Sequence, residues 1–309
     1  MNKPHASICV VGSLNMDLVV RSPQLPSPGQ TISGGPFATY HGGKGANQAV
    51  AAARLGGKVA MIGRVGDDAF GQQMRDGLAS EGIDVGQVAT VEATASGIAL
   101  ITVQEDGQNT IVIAPGANAA LSVADIEAAA DQIRQSGVLV LQLETPLETV
   151  AAAARIAHEA GVKVLLNPAP AQPLPSELLG YVDVLLPNQT EAALLSGMAA
   201  NNEGEAIEAA QHLRSFGIDY VIVTLGDQGA LLLGPEGRQR VEPHQVTPVD
   251  ATAAGDAFVG AFAVALAEGH DYPTALAWGN AAGALAVTAA GAQPSLPTRA
   301  ALEALLVGN

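Results

Sequence analysis

A chain of 309 residues, 48% of them hydrophobic, is long enough to bury a large core and too apolar to be disordered. Its net charge of −16, from 14 basic against 30 acidic residues, argues against nucleic acid and an anionic membrane surface, while leaving room for a small polyanion held by backbone N–H groups. The single cysteine excludes an intrachain disulfide, and without a signal-peptide segment after Met1 or an apolar stretch able to span a bilayer, the expected compartment is the cytoplasm.

Residues 8–11, Ile-Cys-Val-Val, form a continuous apolar run, the pattern of a strand buried on both faces with Cys9 as an inert thiol. Gly12-Ser-Leu-Asn-Met-Asp17 follows, so Asn15 and Asp17 stand just past a strand end, where open α/β sheets bind ligands. They could hold sugar hydroxyls or simply close an Asx turn. Leu25-Pro-Ser-Pro-Gly29 cannot be helical and leads to Thr31, Ile32 and Phe37, which suggests a short edge ribbon. His41-Gly-Gly-Lys-Gly-Ala-Asn47 then precedes a helix over residues 48–55. Its glycines permit close backbone approach to a ligand, with Lys44 and Asn47 in or beside the first turn. The spacing fits neither a Walker A loop nor the dinucleotide fingerprint.

Residues 59–63 read as a second buried strand and residues 68–81 as a helix. Residues 94–103 and 109–114, rich in Ile, Val and Thr, read as a hairpin turning around Glu105-Asp-Gly107. With the earlier ribbon they could form a small separate sheet, suited to be a lid or an oligomer contact; Ile98, Leu100, Ile111 and Ile113 give it apolar faces.

From Leu121 the pattern alternates helix and strand. A Ser122-x-x-Asp125 capping box opens a helix; strands are expected at 138–143, 162–166, 182–186 and 220–224, and helices at 147–160, around Glu191 and at 203–216. Such repetition means a mostly parallel sheet covered on both faces, and its strand ends are polar: Gln142-Leu-Glu144, Asn167-Pro168, Pro187-Asn188, Thr224-Leu-Gly226. Pro187-Asn-Gln-Thr-Glu191 is a capping box, or an amide and a carboxylate able to orient a hydrated Mg²⁺ and its phosphates. Thr224-Leu-Gly-Asp-Gln-Gly229 is a turn before residues 230–233, or a phosphate cradle. The six histidines lack ligand spacing for zinc, and no Gly-x-Ser-x-Gly elbow supports a serine hydrolase.

Pro248-Val-Asp-Ala-Thr-Ala-Ala-Gly-Asp-Ala-Phe-Val-Gly260 runs from a turn of small residues into an amphipathic helix. The free N–H groups and dipole of a helix start attract an anion, and Ala253, Ala254 and Gly255 leave room for one. Asp256 beside such an anion hole suits a base taking the proton of an attacking hydroxyl; alternatively it is one more acidic residue stabilising a first turn.

Gly12–Asp17, Gly42-Gly-Lys-Gly-Ala-Asn47, Leu143-Glu-Thr-Pro146, Pro187–Glu191, Thr224-Leu-Gly226 and Asp250-Ala-Thr-Ala-Ala-Gly-Asp256 together resemble the ribokinase family of carbohydrate kinases, in order and spacing, over essentially the whole chain. The resemblance implies a single Rossmann-like α/β domain over residues 1–309: a mostly parallel sheet flanked by helices, with a small β-sheet lid inserted at about 16–40 and 94–114. In that family the lid also forms a homodimer contact. The implied activity is ATP-dependent phosphorylation of the ribose 5-hydroxyl.

Residue by residue, the resemblance assigns Asn15, Asp17, Gly43, Lys44, Asn47 and Glu144 to the sugar, with Asp256 as base and Ala253–Asp256 as anion hole. Asn188, Glu191, Thr224, Gly226, Asp227, Gly229 and Gly255 lie along the nucleotide. Two positions depart from the family pattern: Ala251 stands where Thr is usual, and Asn280 where a His often lies near adenine. The resemblance also implies K⁺ held by Asp250, Thr252, Ala286, Ala289, Gly291 and Ser295, an oxygen set with one carboxylate. Two other readings remain open here: a kinase of the same family acting on a nucleoside or another sugar, and a catalytically silent sugar-binding regulator.

Overall fold

A computed structural model describes residues 7–104 and 108–308; the expected turn at Glu105-Asp-Gly107 and His5 lie outside them. β1 (Ser7–Val11) sends Ile8 and Val10 into the core under one face of the main sheet and Cys9 and Val11 into the core under the other. Its sequence is therefore unbroken apolar rather than alternating. Burial pushes the Cys9 thiol up to about 12, so it stays unreactive.

The chain then leaves the main sheet. β2 (Asn15–Ser22) and β3 (Phe37–Gly42) form an antiparallel pair, and α1 (Lys44–Arg54), β4 (Lys58–Gly66), α2 (Ala69–Ser80) and β5 (Asp84–Val91) return to the main layer. β6 (Gly97–Gln104) and β7 (Asn109–Ala114) go back to the arm and complete a four-stranded lid in the order β3-β2-β6-β7. The lower half of the fold follows as α3 (Val123–Ala128), α4 (Ala130–Gln135), β8 (Val138–Leu141), α5 (Leu147–Glu159), β9 (Lys163–Leu166), α6 (Ser176–Leu179), β10 (Val184–Leu185), α7 (Gln189–Ser196), α8 (Glu203–Arg214) and β11 (Tyr220–Thr224). The hairpin β12 (Ala230–Gly234) and β13 (Gly237–Val241) ends the sheet, and α9 (Ala254–Ala267), α10 (Tyr272–Ala286), α11 (Ala292–Ser295) and α12 (Arg299–Val307) complete the chain.

Among the described residues the main sheet has nine strands in the order β13-β12-β11-β10-β9-β8-β1-β4-β5, parallel except for the closing hairpin. One face is covered by α1, α9, α10 and α12, the other by α4, α5, α7 and α8. The order of strands reverses at β1, whose neighbours β8 and β4 lie on opposite sides, so the carboxyl ends of β1 and β8 flank the crevice where this class of sheet takes its ligands.

Several expectations need adjustment. Asn15 and Asp17 do not lie in a turn: they begin β2, and the turn is confined to Gly12–Leu14, where the Leu14 N–H donates to Asn118 Oδ1 at 2.9 Å. α1 begins at Lys44, four residues before the expected start at Gln48. Gly43 makes this possible: at φ 88 it turns the chain so that its carbonyl accepts from Asn47 N–H, and a Cβ there would meet Asn15 N at 2.6 Å. The strands β5 and β13 lie outside the expected ones because both are sheet edges: β13 is polar and mostly exposed, and the valines of β5 are interrupted by exposed Gly86, Gln87 and Thr90, which blunts the apolar signal of a strand. Ile98 and Leu100 pair with Ala114 and Val112 on one face of the lid, and Ile113 and Ile111 with Ala99 and Ile101 on the other, so each apolar pair has its own face.

Candidate active site

Five parallel strands deliver polar groups to the same end of the sheet. Gly12–Leu14 extend β1 and lead to Asn15 at the start of β2, Gln142–Glu144 extend β8, Asn167 follows β9, Asn188 follows β10, and Thr224 ends β11. Facing them are the amino ends of α1, α7 and α9. Between these lies a cleft of about 220 Å³ lined by, among others, Lys44, Asn167, Asn188, Glu191, Thr224, Ala253, Gly255 and Asp256.

Asp256 sits in the first turn of α9, buried. Its Oδ2 accepts from Asn47 Nδ2 at 2.9 Å and its Oδ1 from Gln48 Nε2 at 3.0 Å. Burial lifts its proton affinity; the Lys44 ammonium and the two amide donors oppose that, Glu144 adds to it, and the balance stays above the ordinary carboxylate range. Ala253 caps α9 in the left-handed conformation, φ 61, an uncommon place for a residue with a side chain. That turn aims the start of α9 at the cleft. The N–H of Ala254 leans on Ala251 O at 3.3 Å, whereas those of Gly255 and Asp256 find no acceptor among the described residues. The anion hole expected from residues 253–256 is thus open at its last two N–H groups.

Glu144 ties the sugar side together. Its Oε2 accepts from Ser13 Oγ, from Lys44 N at 3.1 Å and from Asn15 Nδ2 at 3.5 Å. Asn15 Oδ1 in turn accepts from Asn118 Nδ2 at 2.8 Å. Asp17, near the start of the lid strand β2, is only 7% exposed and takes no side-chain hydrogen bond among the described residues. Burial, then the charges of Glu144 and Asp256, push its carboxyl up to about 7. Burial disfavours the Lys44 ammonium, but Asp256, Glu144 and Glu191 outweigh it and raise its proton affinity. Asn47 Oδ1, on the residue whose Nδ2 holds Asp256, is buried without a partner among the described residues.

On the nucleotide side the capping box is real: Asn188 Oδ1 accepts from Glu191 N and Glu191 Oε2 from Asn188 N, both at 2.8 Å. Glu191 keeps its second oxygen and lines the cleft, its proton affinity raised mainly by burial. Gly226 and Gly229, both at positive φ, shape the turn through Asp227 after β11. Asn280 lies on α10 and donates to Glu242 O at 2.8 Å; it is not among the residues lining the cleft.

Below the anion hole, Asp250 Oδ1 accepts from Thr252 N and Oγ1, and Oδ2 from Gly291 N, at 2.6–2.9 Å. The carboxylate joins the two loops expected to hold a cation, with Asp250 N–H on Val287 O and Ser295 Oγ on Ala292 O. Burial works against the charge on Asp250, but the Thr252 and Gly291 donors outweigh it and depress its proton affinity. Gln48, Gln142 and Asn167, which sequence reasoning did not assign, are hydrogen-bonded into the same network through Asp256.

The sequence model of the pfkB family of carbohydrate kinases matches residues 5–299. A ribokinase of Haemophilus influenzae is 45% identical, over 95% of this chain and 96% of its own. A deoxyribokinase of Salmonella typhimurium is 40% identical, over 94% and 95%. The structure of Arabidopsis thaliana ribokinase complexed with ribose and ATP superposes with a TM-score of 0.92 at 35% identity, covering 99% of both chains.

Proposed function

The chain belongs to the pfkB family of carbohydrate kinases, and from that premise we propose that it transfers the γ-phosphoryl group of ATP to the 5-hydroxyl of ribose. The observation that carries this is the pairing of Asp256, a buried carboxylate with both oxygens held by amides, with the free N–H groups of Gly255 and Asp256 on the same turn. Asp256 accepts the hydroxyl proton on a carboxylate oxygen as the sugar oxygen attacks the γ-phosphorus; the bridging oxygen leaves with ADP. The N–H groups and Lys44 hold the charge on the transferred group. A positioned base contributes about 10²–10⁴ in rate and an anion-hole donor about 10²–10³. Asn15, Asp17, Gly43, Lys44, Asn47 and Glu144 orient the sugar, and the buried Asn47 Oδ1, without a partner among the described residues, supports an acceptor role there.

Glu191, with one oxygen left over from its cap, and Asn188 fit a hydrated Mg²⁺, which when bound would neutralise phosphate charge. Asp250, Thr252, Ala286, Ala289, Gly291 and Ser295 fit K⁺, because one carboxylate held ionised among hydroxyl and carbonyl oxygens suits a single positive charge. Such an ion would steady the loop that ends in the anion hole. The lid is further proposed to pair two copies of the chain through its apolar surface.

The test is Asp256→Asn. The amide keeps the shape but cannot take the proton, so kcat should fall at least about 100-fold while ribose and ATP binding stay within about tenfold. Retention of more than about a tenth of the turnover would remove Asp256 from the base role.

A further inference from the structure

Gln48 follows Asn47 on α1, is 1% exposed, and has no part in the chemistry above. Its Nε2 donates to Asp256 Oδ1 at 3.0 Å and to Asn167 Oδ1 at 3.1 Å, while its Oε1 accepts from Gln142 Nε2 at 2.6 Å. We propose that Gln48 is the positioning residue of the base: it holds Asp256 Oδ1, and the partly buried amide of Asn167 dictates which end of Gln48 faces the carboxylate.

A side-chain amide can present either oxygen or nitrogen, and the wrong one would set lone pairs against lone pairs. Here the order is fixed at a backbone atom. The Leu186 carbonyl can only accept, so Asn167 turns Nδ2 to it at 2.9 Å and leaves Oδ1 facing Gln48. Gln48 must answer with Nε2, whose two hydrogens go to Asn167 and Asp256. Its Oε1 then points back to Gln142, a residue with 0% exposure that touches neither Asp256 nor the cleft. Gly12 leaves room for that amide, since a Cβ at Gly12 would run into Gln142 Oε1. Apolar side chains would fill this space without burying the amides of Gln48 and Gln142. Such burial, which leaves Gln142 Oε1 without a partner among the described residues, is costly unless the amides serve to orient a group.

With Oδ1 on Gln48 and Oδ2 on Asn47, the carboxylate plane is fixed from α1, leaving a lone pair on each oxygen for the hydroxyl. Donated hydrogen bonds favour a charged carboxylate, so losing one raises the pH at which Asp256 takes its proton. The charges around it are Lys44 on α1, which favours ionisation, and Glu144 beyond β8, Asp17 on β2 and Glu191 on α7, which oppose it. A substitution at Gln48 alters none of them.

The inference rests on Asp256 as base. Its test measures kcat against pH at saturating ribose and ATP for Gln48→Met, which lacks the donor, and Gln48→Glu, which keeps the shape. Gln48→Met should lower kcat about 10- to 100-fold with the ribose KM within about threefold, and move the acid limb up by about one pH unit. Gln48→Glu should move it further, because a second carboxylate then faces Asp256; Gln142→Met should move it the same way by less. Should the Met variant fail to fold, the isosteric Glu variant carries the readout. An acid limb unmoved in folded variants, or a Gln48→Glu enzyme with wild-type kcat at every pH, overturns the proposal. An inactive Asp256→Asn beside an unmoved limb sinks this inference alone, whereas an active Asp256→Asn sinks the base assignment itself.

Discussion

Asp17 carries the clearest electrostatic conflict in the site. A carboxyl pushed up to about 7, first by burial and then by Glu144 and Asp256, is protonated in the folded chain at a pH where the unfolded chain has already ionised it. Folding therefore binds a proton between about pH 4 and 7, and stability falls as pH rises through that window. Asp17→Asn removes the buried charge, so its Tm advantage over the wild type should grow from pH 4 to about 7 and then level off, read from melting curves at several pH values. A difference independent of pH would contradict it. The same variant should raise the ribose KM more than the ATP KM, since the unpaired carboxylate would lose its sugar hydroxyls. At this scale the sequence revealed groups standing in marked turns, Asp256 at a helix start and Glu191 in a capping box. It showed Gln142 and Asn167 only as polar strand ends and Gln48 not at all, since an isolated amide looks the same on a surface as in a core, and the three come together only across α1, β8 and β9.

The lid shows what an element contributes beyond its residues. Tyr40, Asp17, Ala99 and Ile113 form one row across it, and Ala38, Val19, Ile101 and Ile111 the next. The surface that bears Asp17 thus continues outward into apolar side chains, with Ile111 53% and Ile113 44% exposed. A four-stranded sheet cannot bury such a face by itself. Ile111→Lys with Ile113→Lys should convert a dimer to a monomer in light scattering at micromolar concentration, while Leu100→Lys, on the opposite face, should leave the dimer intact. A fully active monomeric wild type would refute the arrangement. The hairpin strands were legible from their Ile, Val and Thr content. Which faces they share was not, because register depends on the turn and on the parallel pairing of β2 with β6, neither of which short-range alternation encodes.

In the whole molecule, alternating strand and helix from Leu121 onward was enough to predict a parallel sheet with both faces covered, and the polar strand ends marked where its ligands go. What the pattern could not give was the strand order, in which β1 lies between β8 and β4, because that follows from long-range packing of the two cores rather than from any local signal. The order brings Ser13, Glu144 and the start of α1 together, with α9 closing over them. A relative that is 40% identical and called a deoxyribokinase makes the sugar the decisive question. The direct measurement is ADP release with saturating ATP over ribose, 2-deoxyribose, hexoses and nucleosides. The account predicts ribose as the best substrate by kcat/KM and phosphate on its 5-oxygen; a nucleoside or hexose as best substrate, or binding of ribose without ADP release, would contradict it.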